Sequence, residues 1–234
     1  MHKPVLINEV IDFLDIKPGN IYIDCTLGLG GHSLEILKRL NGTGKLIGIE
    51  LDETALEIAK EKLKHFDNCY LVHSSFLDLP DILKNQKIDK ISGGVLLDLG
   101  VNSIHLDNSE RGFSFKNDAL LDMRMDKRQS LTAYKVINTY KESELADIIY
   151  KYGEERYSRK IARLITQNKA KNGPLKTTGE LANLVLNCYR YAKNKKWFKT
   201  HPATKIFQAL RIEVNKELEN LDKFLCFIPE LLLP

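Results

Sequence analysis

Apolar residues recur along the chain in two alternating rhythms, and their order predicts the architecture. Val5, Val10, Phe13 and Leu14 stand at near-helical spacing, and Lys17-Pro18-Gly19 closes that segment. Ile21 to Cys25 is a short β-branched and aromatic run, read as a buried strand. A glycine cluster (Gly28, Gly30, Gly31) follows, and from Ser33 the period becomes helical, with Leu34, Leu37 and Leu40 on one face. That helix is expected to stop at Asn41-Gly-Thr-Gly44. Lys45–Glu50 reads as a second strand, Leu56, Ala59 and Leu63 as the stripe of a second helix, and Cys69–His73 as a third strand. Gly94–Asp98 reads as a fourth. Strands alternating with helices predict a doubly wound α/β sheet that binds its ligand at the carboxyl ends of the strands.

From about Asn102 the rhythm changes. Ser109–Asp118 and Leu121–Asp126 read as ordered loops, and helices dominate afterwards. One helix carries Leu145, Ile148, Ile149 and Tyr152 and stops at Gly153; the next carries Tyr157, Ile161, Leu164 and Ile165 and ends at Asn172-Gly-Pro174. Thr177-Thr-Gly-Glu180 has the spacing of a capping box that opens a third. His201-Pro202 leads into one long amphipathic helix aligning Phe207, Leu210, Val214, Leu218, Leu221 and Leu225. Residues 227–234 read as a loop approaching another strand.

Composition changes this picture in one place. The 234 residues carry a net charge of only +4, yet Lys151 to Lys205 hold fourteen Lys or Arg against three Glu. A basic segment on an otherwise acidic chain points to a polyanion, or to a solvated helical surface. Within it, Tyr189–Lys199 interleaves basic and aromatic residues, a mixture that suits phosphate contact with base stacking. No apolar run approaches the roughly 18 residues of a membrane span. The four cysteines (Cys25, Cys69, Cys188, Cys226) form no C-x-x-C pair and read as reduced core or near-core thiols of a cytosolic protein, with no metal site.

Candidate chemistry gathers at the strand ends. Strand, glycine turn and helix together present backbone N–H groups to a nucleotide. Glu50 ends the second strand about 20 residues after the glycines, the distance at which such folds place an acid on ribose hydroxyls. It is alternatively a strand-end acid supporting the next helix. Asp52 reads as that helix's N-cap. Phe76 is either an adenine platform or core, and Asp98 ends the fourth strand with a carboxylate.

Seven strings then follow in order: His2-Lys-Pro-Val-Leu6, Asp24-Cys-Thr-Leu-Gly-Leu-Gly-Gly-His-Ser33, Leu97-Asp-Leu-Gly-Val101, Glu110-Arg-Gly-Phe-Ser-Phe115, Leu121-Asp-Met-Arg-Met-Asp126, Tyr152-Gly-Glu-Glu-Arg156 and His201-Pro-Ala-Thr-Lys-Ile-Phe-Gln-Ala-Leu-Arg211. Over essentially its whole length the chain resembles the MraW/RsmH family, S-adenosylmethionine-dependent methyltransferases that make N4-methylcytidine in 16S ribosomal RNA. The resemblance implies a Rossmann-like α/β methyltransferase core (1–110), a helical insertion for RNA (111–205) and a return to the core (206–234). It implies S-adenosyl-L-methionine as cofactor, 16S ribosomal RNA of the small subunit as partner, and a cytoplasmic location. By resemblance, Gly30, Gly31 and His32 contact the cofactor in the turn, Glu50 its ribose and Phe76 its adenine. Asp98 and His105 lie near its methionine end or the approach to it. Arg124, Asp126 and Arg211 are expected either in the cytidine pocket or in an interdomain salt-bridge set; no catalytic base is assigned.

The chain departs from the family in four places. Glu50 stands where Asp is common, Asn102-Ser-Ile-His105 replaces Ser-Ser-Pro-Gln, and Ala119-Leu120 replaces Gly-Pro. The Ser-Phe-His-Ser-Leu-Glu-Asp string of further strands is absent, so the expectation is a C-terminally truncated chain with a sheet incomplete after its fourth strand. Two other functions compete with methyl transfer: an RNA-binding but catalytically incomplete fragment, and a nicotinamide-dependent oxidoreductase. The second would want Gly or Ala where Ser33 stands.

Overall fold

The computed structural model describes residues 4–102, 104–105, 108–190 and 200–233. They form two units, residues 1–103 with 218–234, and residues 104–217.

The first unit is built on a four-stranded parallel sheet: β1 (Ile21–Asp24), β2 (Lys45–Glu50), β3 (Cys69–His73) and β4 (Val95–Leu96), in the order β3-β2-β1-β4. Side chains alternate across a strand, so neighbours on β1 and β2 serve opposite faces. Tyr22 and Leu46 pack on one face with Leu37 and Leu40 of α2 (Gly31–Leu40), Leu56 and Leu63 of α3 (Glu53–Leu63), and Ile11 of α1 (Ile7–Leu14). Ile23, Ile47 and Ile49 pack on the other, against Leu79, Ile82 and Leu83 of α4 (Leu79–Asn85) and Phe224 and Ile228 of a C-terminal helix. Burying each such side chain contributes about 1.5–3 kcal/mol, and a sheet with apolar residues on both faces needs helices on both. This is the doubly wound arrangement expected from the alternating pattern.

The expected face of α1 is corrected by the structure. Phe13 is 91% exposed and Val5 60% exposed, whereas Ile11 is buried. At about 100° per residue Ile11 stands about 160° from Phe13 but about 60° from Leu14, and Leu14, as expected, packs in the same cluster as Ile11.

The second unit is helical: α5 (Ala133–Thr139), α6 (Glu142–Gly153), α7 (Ser158–Asn172), α8 (Thr178–Arg190) and α9 (Ala203–Asn215). The capping box before α8 is present: Glu180 N–H donates to Thr177 Oγ1 and Thr177 N–H to Glu180 Oε2. Ile206, Phe207 and Leu210 of α9 and Leu145 and Ile149 of α6 are buried where these two helices pack. A Cβ on Gly153 would lie 2.6 Å from the Lys205 carbonyl oxygen, so glycine permits that close approach. The loops at 109–118 and 121–126 contain one turn of 3₁₀ helix (Ser109–Arg111) and an isolated antiparallel bridge, Leu120 to Thr177.

The single helix expected after His201-Pro202 is two helices. Lys216 adopts a left-handed conformation (φ 51°), ending α9, and α10 (Glu217–Leu231) begins directly after it. The cause lies one residue earlier. Asn215 Nδ2 donates to the Met123 and Arg211 carbonyls, and its Oδ1 accepts the Met125 N–H at 2.8 Å, tying the helix end to the 121–126 loop. The apolar stripe therefore serves two bodies: α9 belongs to the second unit, and residues from Leu218 onward to the first. α10 also continues through Pro229 to Leu231, where a loop was expected, and Leu232 makes a parallel bridge to Ile91. No described helix is long and apolar enough to cross a membrane. All four cysteines are free thiols; Cys226 is exposed, and burial raises the Cys69 thiol to about 11.

Candidate cofactor-binding edge of the sheet

Parallel strands bring their carboxyl ends to one edge, and register decides which residues meet there. Asp24 pairs with Gly48 and with Leu96, and Glu50 pairs with His73. Leu27 N–H donates to the Ile49 carbonyl at 3.0 Å, so the glycine loop after β1 turns towards β2. Gly28 (φ 52°) and Gly30 (φ 70°) both occupy the left-handed region. A Cβ on Gly28 would meet only the Thr26 carbonyl oxygen, at 3.9 Å. The backbone there is open to a ligand.

Two carboxylates shape this edge. Glu50 Oε2 accepts the Gly28 N–H at 2.7 Å and Oε1 accepts the Asp52 N–H at 2.9 Å. A carboxylate oxygen can accept more than one hydrogen bond, so an acid at this strand tip suits hydroxyl groups. Asp52 caps α3, accepting the Thr54 and Ala55 N–H groups, as expected. Asp24, 1% exposed, accepts the Ser33 hydroxyl at 2.6 Å and the Thr26 N–H at 3.2 Å. Thr26 Oγ1 in turn accepts the Asp98 N–H at 2.6 Å. Burial pushes the Asp24 carboxyl above the ordinary range, against the opposing effect of Ser33 and Thr26. The network ties α2, the glycine loop and the end of β4 together. Asp24, Thr26 and Ser33 lay within the glycine string but were given no role there; the signal was an acid ending a strand directly before a glycine turn.

The remaining expected cofactor contacts are placed as follows. Gly30 is the left-handed N-cap of α2, and a Cβ on Gly31 would strike Pro4 Cγ at 2.4 Å. His32 is buried; its Nε2–H donates to the Val5 carbonyl, since a carbonyl can only accept, so the ring pins the N-terminal segment to α2. Phe76 follows β3 in a 3₁₀ turn, 6% exposed and edge-on to Phe224 at 5.2 Å. Asp98 is exposed just beyond β4. His105 lies in the second unit, buried and stacked on Phe113 at 4.8 Å.

The expected substrate residues are also in the second unit, and each is paired locally. Arg124 grips Asp122 with two bonds (2.7 and 2.9 Å) and donates to the Lys127 and Gln129 carbonyls. Asp126 pairs with Arg128 at 2.9 Å, and Arg211 grips Glu217 at 2.8 and 2.9 Å. Each of these ion pairs joins two residues of the same unit. They close locally because both partners stand on the same loop or at the same helix end. Of the basic aromatic stretch, residues 191–199 lie outside the described residues. Among the described residues no group of three or more His, Cys, Asp or Glu is assembled that could hold a metal ion.

The Asp122–Arg124 clamp makes a pH prediction. Burial raises the Asp122 carboxyl, but the Arg124 guanidinium and N–H outweigh it and leave the group below its ordinary value. A depressed folded-state pKa gives stability that is present above the unfolded value, about 3.9, and is lost as pH falls through the folded one. Asp122→Asn is therefore expected to melt below wild type at neutral pH, with the gap narrowing below about pH 4. Thermal melts of both proteins across that range check it; a gap independent of pH would contradict the clamp.

A family model described as the MraW methylase family matches residues 1–234. A protein named ribosomal RNA small subunit methyltransferase H from Hydrogenobaculum sp. (strain Y04AAS1) is 55% identical, over 98% of this chain and 76% of its own length. One of the same name from Clostridium botulinum (strain 657 / Type Ba4) is 51% identical, over 95% of this chain and 70% of its own. Likeness to solved structures is partial. An rRNA methylase from Streptococcus thermophilus gives a TM-score of 0.34 at 19% identity, covering 51% of this chain and 71% of that one. A SAM-dependent methyltransferase from Aquifex aeolicus gives 0.28 at 22%, covering 30% and 38%. A family model spanning every residue, with relatives half identical over nearly all of the chain, settles the kinship: the chain belongs to the MraW methylase family.

Proposed function

We propose that this chain is an S-adenosylmethionine-dependent methyltransferase acting on RNA of the small ribosomal subunit, at N4 of a cytidine in 16S ribosomal RNA. The observation that carries the reading is Glu50, held at the tip of β2 with Oε2 on the Gly28 N–H and Oε1 on the Asp52 N–H, which sets a carboxylate beside the glycine loop where ribose hydroxyls would bind. The open backbone at Gly28 lets an adenosine approach without meeting a side chain. The cofactor supplies, when bound, a methyl group activated on a sulfonium. The chain must then hold the acceptor nitrogen in line and exclude water. N4 of cytosine is a weak nucleophile because its lone pair is delocalised into the ring, so a carboxylate accepting its hydrogen bond assists. Asp98, exposed beside the Asp24–Thr26 network, would be the acid that contacts the methionine end or the base; its exposure at this edge supports that role. Arg124, Asp126 and Arg211, held rigid by their ion pairs, offer a preorganised wall for the cytidine. The target base has to be unpaired or turned out of its stack. A cytoplasmic location fits such a substrate. The nicotinamide alternative is not favoured, since the third glycine position is Ser33, whose hydroxyl is committed to Asp24.

Two measurements test the reading. Calorimetric titration with S-adenosylmethionine is expected to show micromolar binding, and the chain should transfer labelled methyl from it to small-subunit ribosomal RNA. Binding without transfer would leave the cofactor assignment and sink the catalytic one; no binding by the folded chain would sink both.

A further inference from the structure

The helical unit contains a cavity of about 390 Å³ where the end of α6 meets α8 and the start of α9. Its volume is within the roughly 300–1,000 Å³ of small-ligand sites. Arg156, Lys205, His201, Tyr189, Thr204 and Glu155 are among the residues that line it. Their chemistry is mixed in a specific way. Arg156 lies with its guanidinium 4.8 Å over the Tyr157 ring and is exposed; among the described residues it makes no ion pair. Lys205 donates to the Glu154 backbone carbonyl at 2.9 Å, which fixes the ammonium at the cavity and leaves two of its protons for another acceptor. His201 stacks on Phe115 at 4.7 Å, and its Nδ1 accepts the Ala203 N–H at 3.1 Å. That bond assigns the proton of the neutral ring to Nε2, leaving a donor on a rigid aromatic plane. Glu155 is buried at 6% exposure, its Oε1 holding the Tyr157 N–H, and it supplies a carboxylate to the same space.

Two cations beside a carboxylate and flat rings do not match a bare anion, nor an apolar ligand. They match a molecule with an anionic end and a planar hydrogen-bonding end. We propose that this cavity seats one nucleotide of single-stranded RNA, its phosphate against Arg156 and Lys205 and its base against the His201 and Tyr189 rings. The proposal rests on the RNA-directed reading above and deepens it, placing a strand-anchoring subsite apart from Arg124, Asp126 and Arg211. Such a subsite holds the strand by phosphate and stacking and so adds affinity with little demand on sequence.

The test is fluorescence anisotropy of a labelled, short, unstructured oligoribonucleotide with the whole chain. Arg156→Gln/Lys205→Gln is expected to weaken binding at least about tenfold and to lower the salt slope by about one to two. Thr204→Leu, which fills the cavity without changing charge, is expected to weaken binding about fivefold with the slope unchanged. Arg39→Gln, an exposed cation of the first unit, controls for diffuse electrostatics and should stay within about twofold. These positions are exposed, so all variants should melt as wild type. If the cation variant loses affinity but Thr204→Leu does not, the effect is diffuse charge and the subsite is overturned. If neither loses affinity, the subsite is overturned while RNA binding stands; if the wild type binds no RNA, the RNA reading itself fails.

Discussion

Asp24→Ala is expected to destabilise the first unit by about 2–4 kcal/mol and to remove cofactor binding with it. The Asp24 carboxylate is the buried acceptor for the Ser33 hydroxyl and the Thr26 N–H, and Thr26 carries the network on to the end of β4. Its truncation strands the buried Ser33 hydroxyl and the part-buried Thr26 N–H, at about 1–3 kcal/mol for a donor that water does not reach. Asp24→Asn is the informative partner. The amide keeps the volume and one acceptor for the Thr26 N–H, and the Ser33 hydroxyl can rotate to accept from the new NH₂. Burial raises the Asp24 pKa, so the wild-type contribution is fully present below the unfolded value and declines as pH rises through the folded one. Asn mimics the neutral carboxyl at every pH. Urea melts of both variants from about pH 4 to 8 should therefore show Asp24→Asn gaining on wild type as pH rises, and Asp24→Ala well below both. If Asp24→Ala melted like wild type, the network would not be what holds the loop.

Glu50→Ala is expected to weaken S-adenosylmethionine binding about 10- to 100-fold while lowering the melting temperature only slightly. The lost charge-assisted hydrogen bonds are each of order 1.5–3 kcal/mol, and about 1.4 kcal/mol is a factor of ten in affinity. Stability suffers little because Glu50 is only half-buried, and water can take over the Gly28 N–H. Asp52→Ala separates binding from folding. It removes the α3 cap, at about 1 kcal/mol, but keeps the Asp52 N–H that orients Glu50. Calorimetry and thermal melts on both should show opposite patterns: affinity lost without stability in Glu50→Ala, stability lost without affinity in Asp52→Ala. Wild-type affinity in Glu50→Ala would remove Glu50 from the ribose.

Much of the cofactor edge was legible before any coordinates. The strand ending at Glu50, the cap at Asp52 and the left-handed glycines follow from local rules: a two-residue period, a side chain reaching back two or three residues, and a conformation that glycine tolerates. The capping box at Thr177 and Glu180 was legible for the same reason. Phe76 was not. An aromatic after a strand tip serves as platform or, more often, as core, and its edge-on contact with Phe224, nearly 150 residues later, belongs to the fold. His32 and His105 came through resemblance alone, and the contacts that hold them, to Val5 and to Phe113, belong to the folded chain.

By itself, the sequence determined the alternation of strand and helix, the doubly wound order, the glycine turn with its acids, and the family. Those properties are set by neighbours within a few turns, or by strings long enough to be specific. Tertiary structure decided where the C-terminal apolar stripe divides between two bodies, because Asn215 is held by carbonyl and N–H groups some 90 residues away. It decided that Phe13 faces outward and Ile11 inward, which depends on the surface α1 packs against. It also decided that Asp24 is a keystone and not an ordinary strand-end acid, since only the sheet buries it and brings Ser33, Thr26 and Asp98 together. A hydrogen bond between segments distant in sequence leaves no period in that sequence, which is why these features waited for the fold.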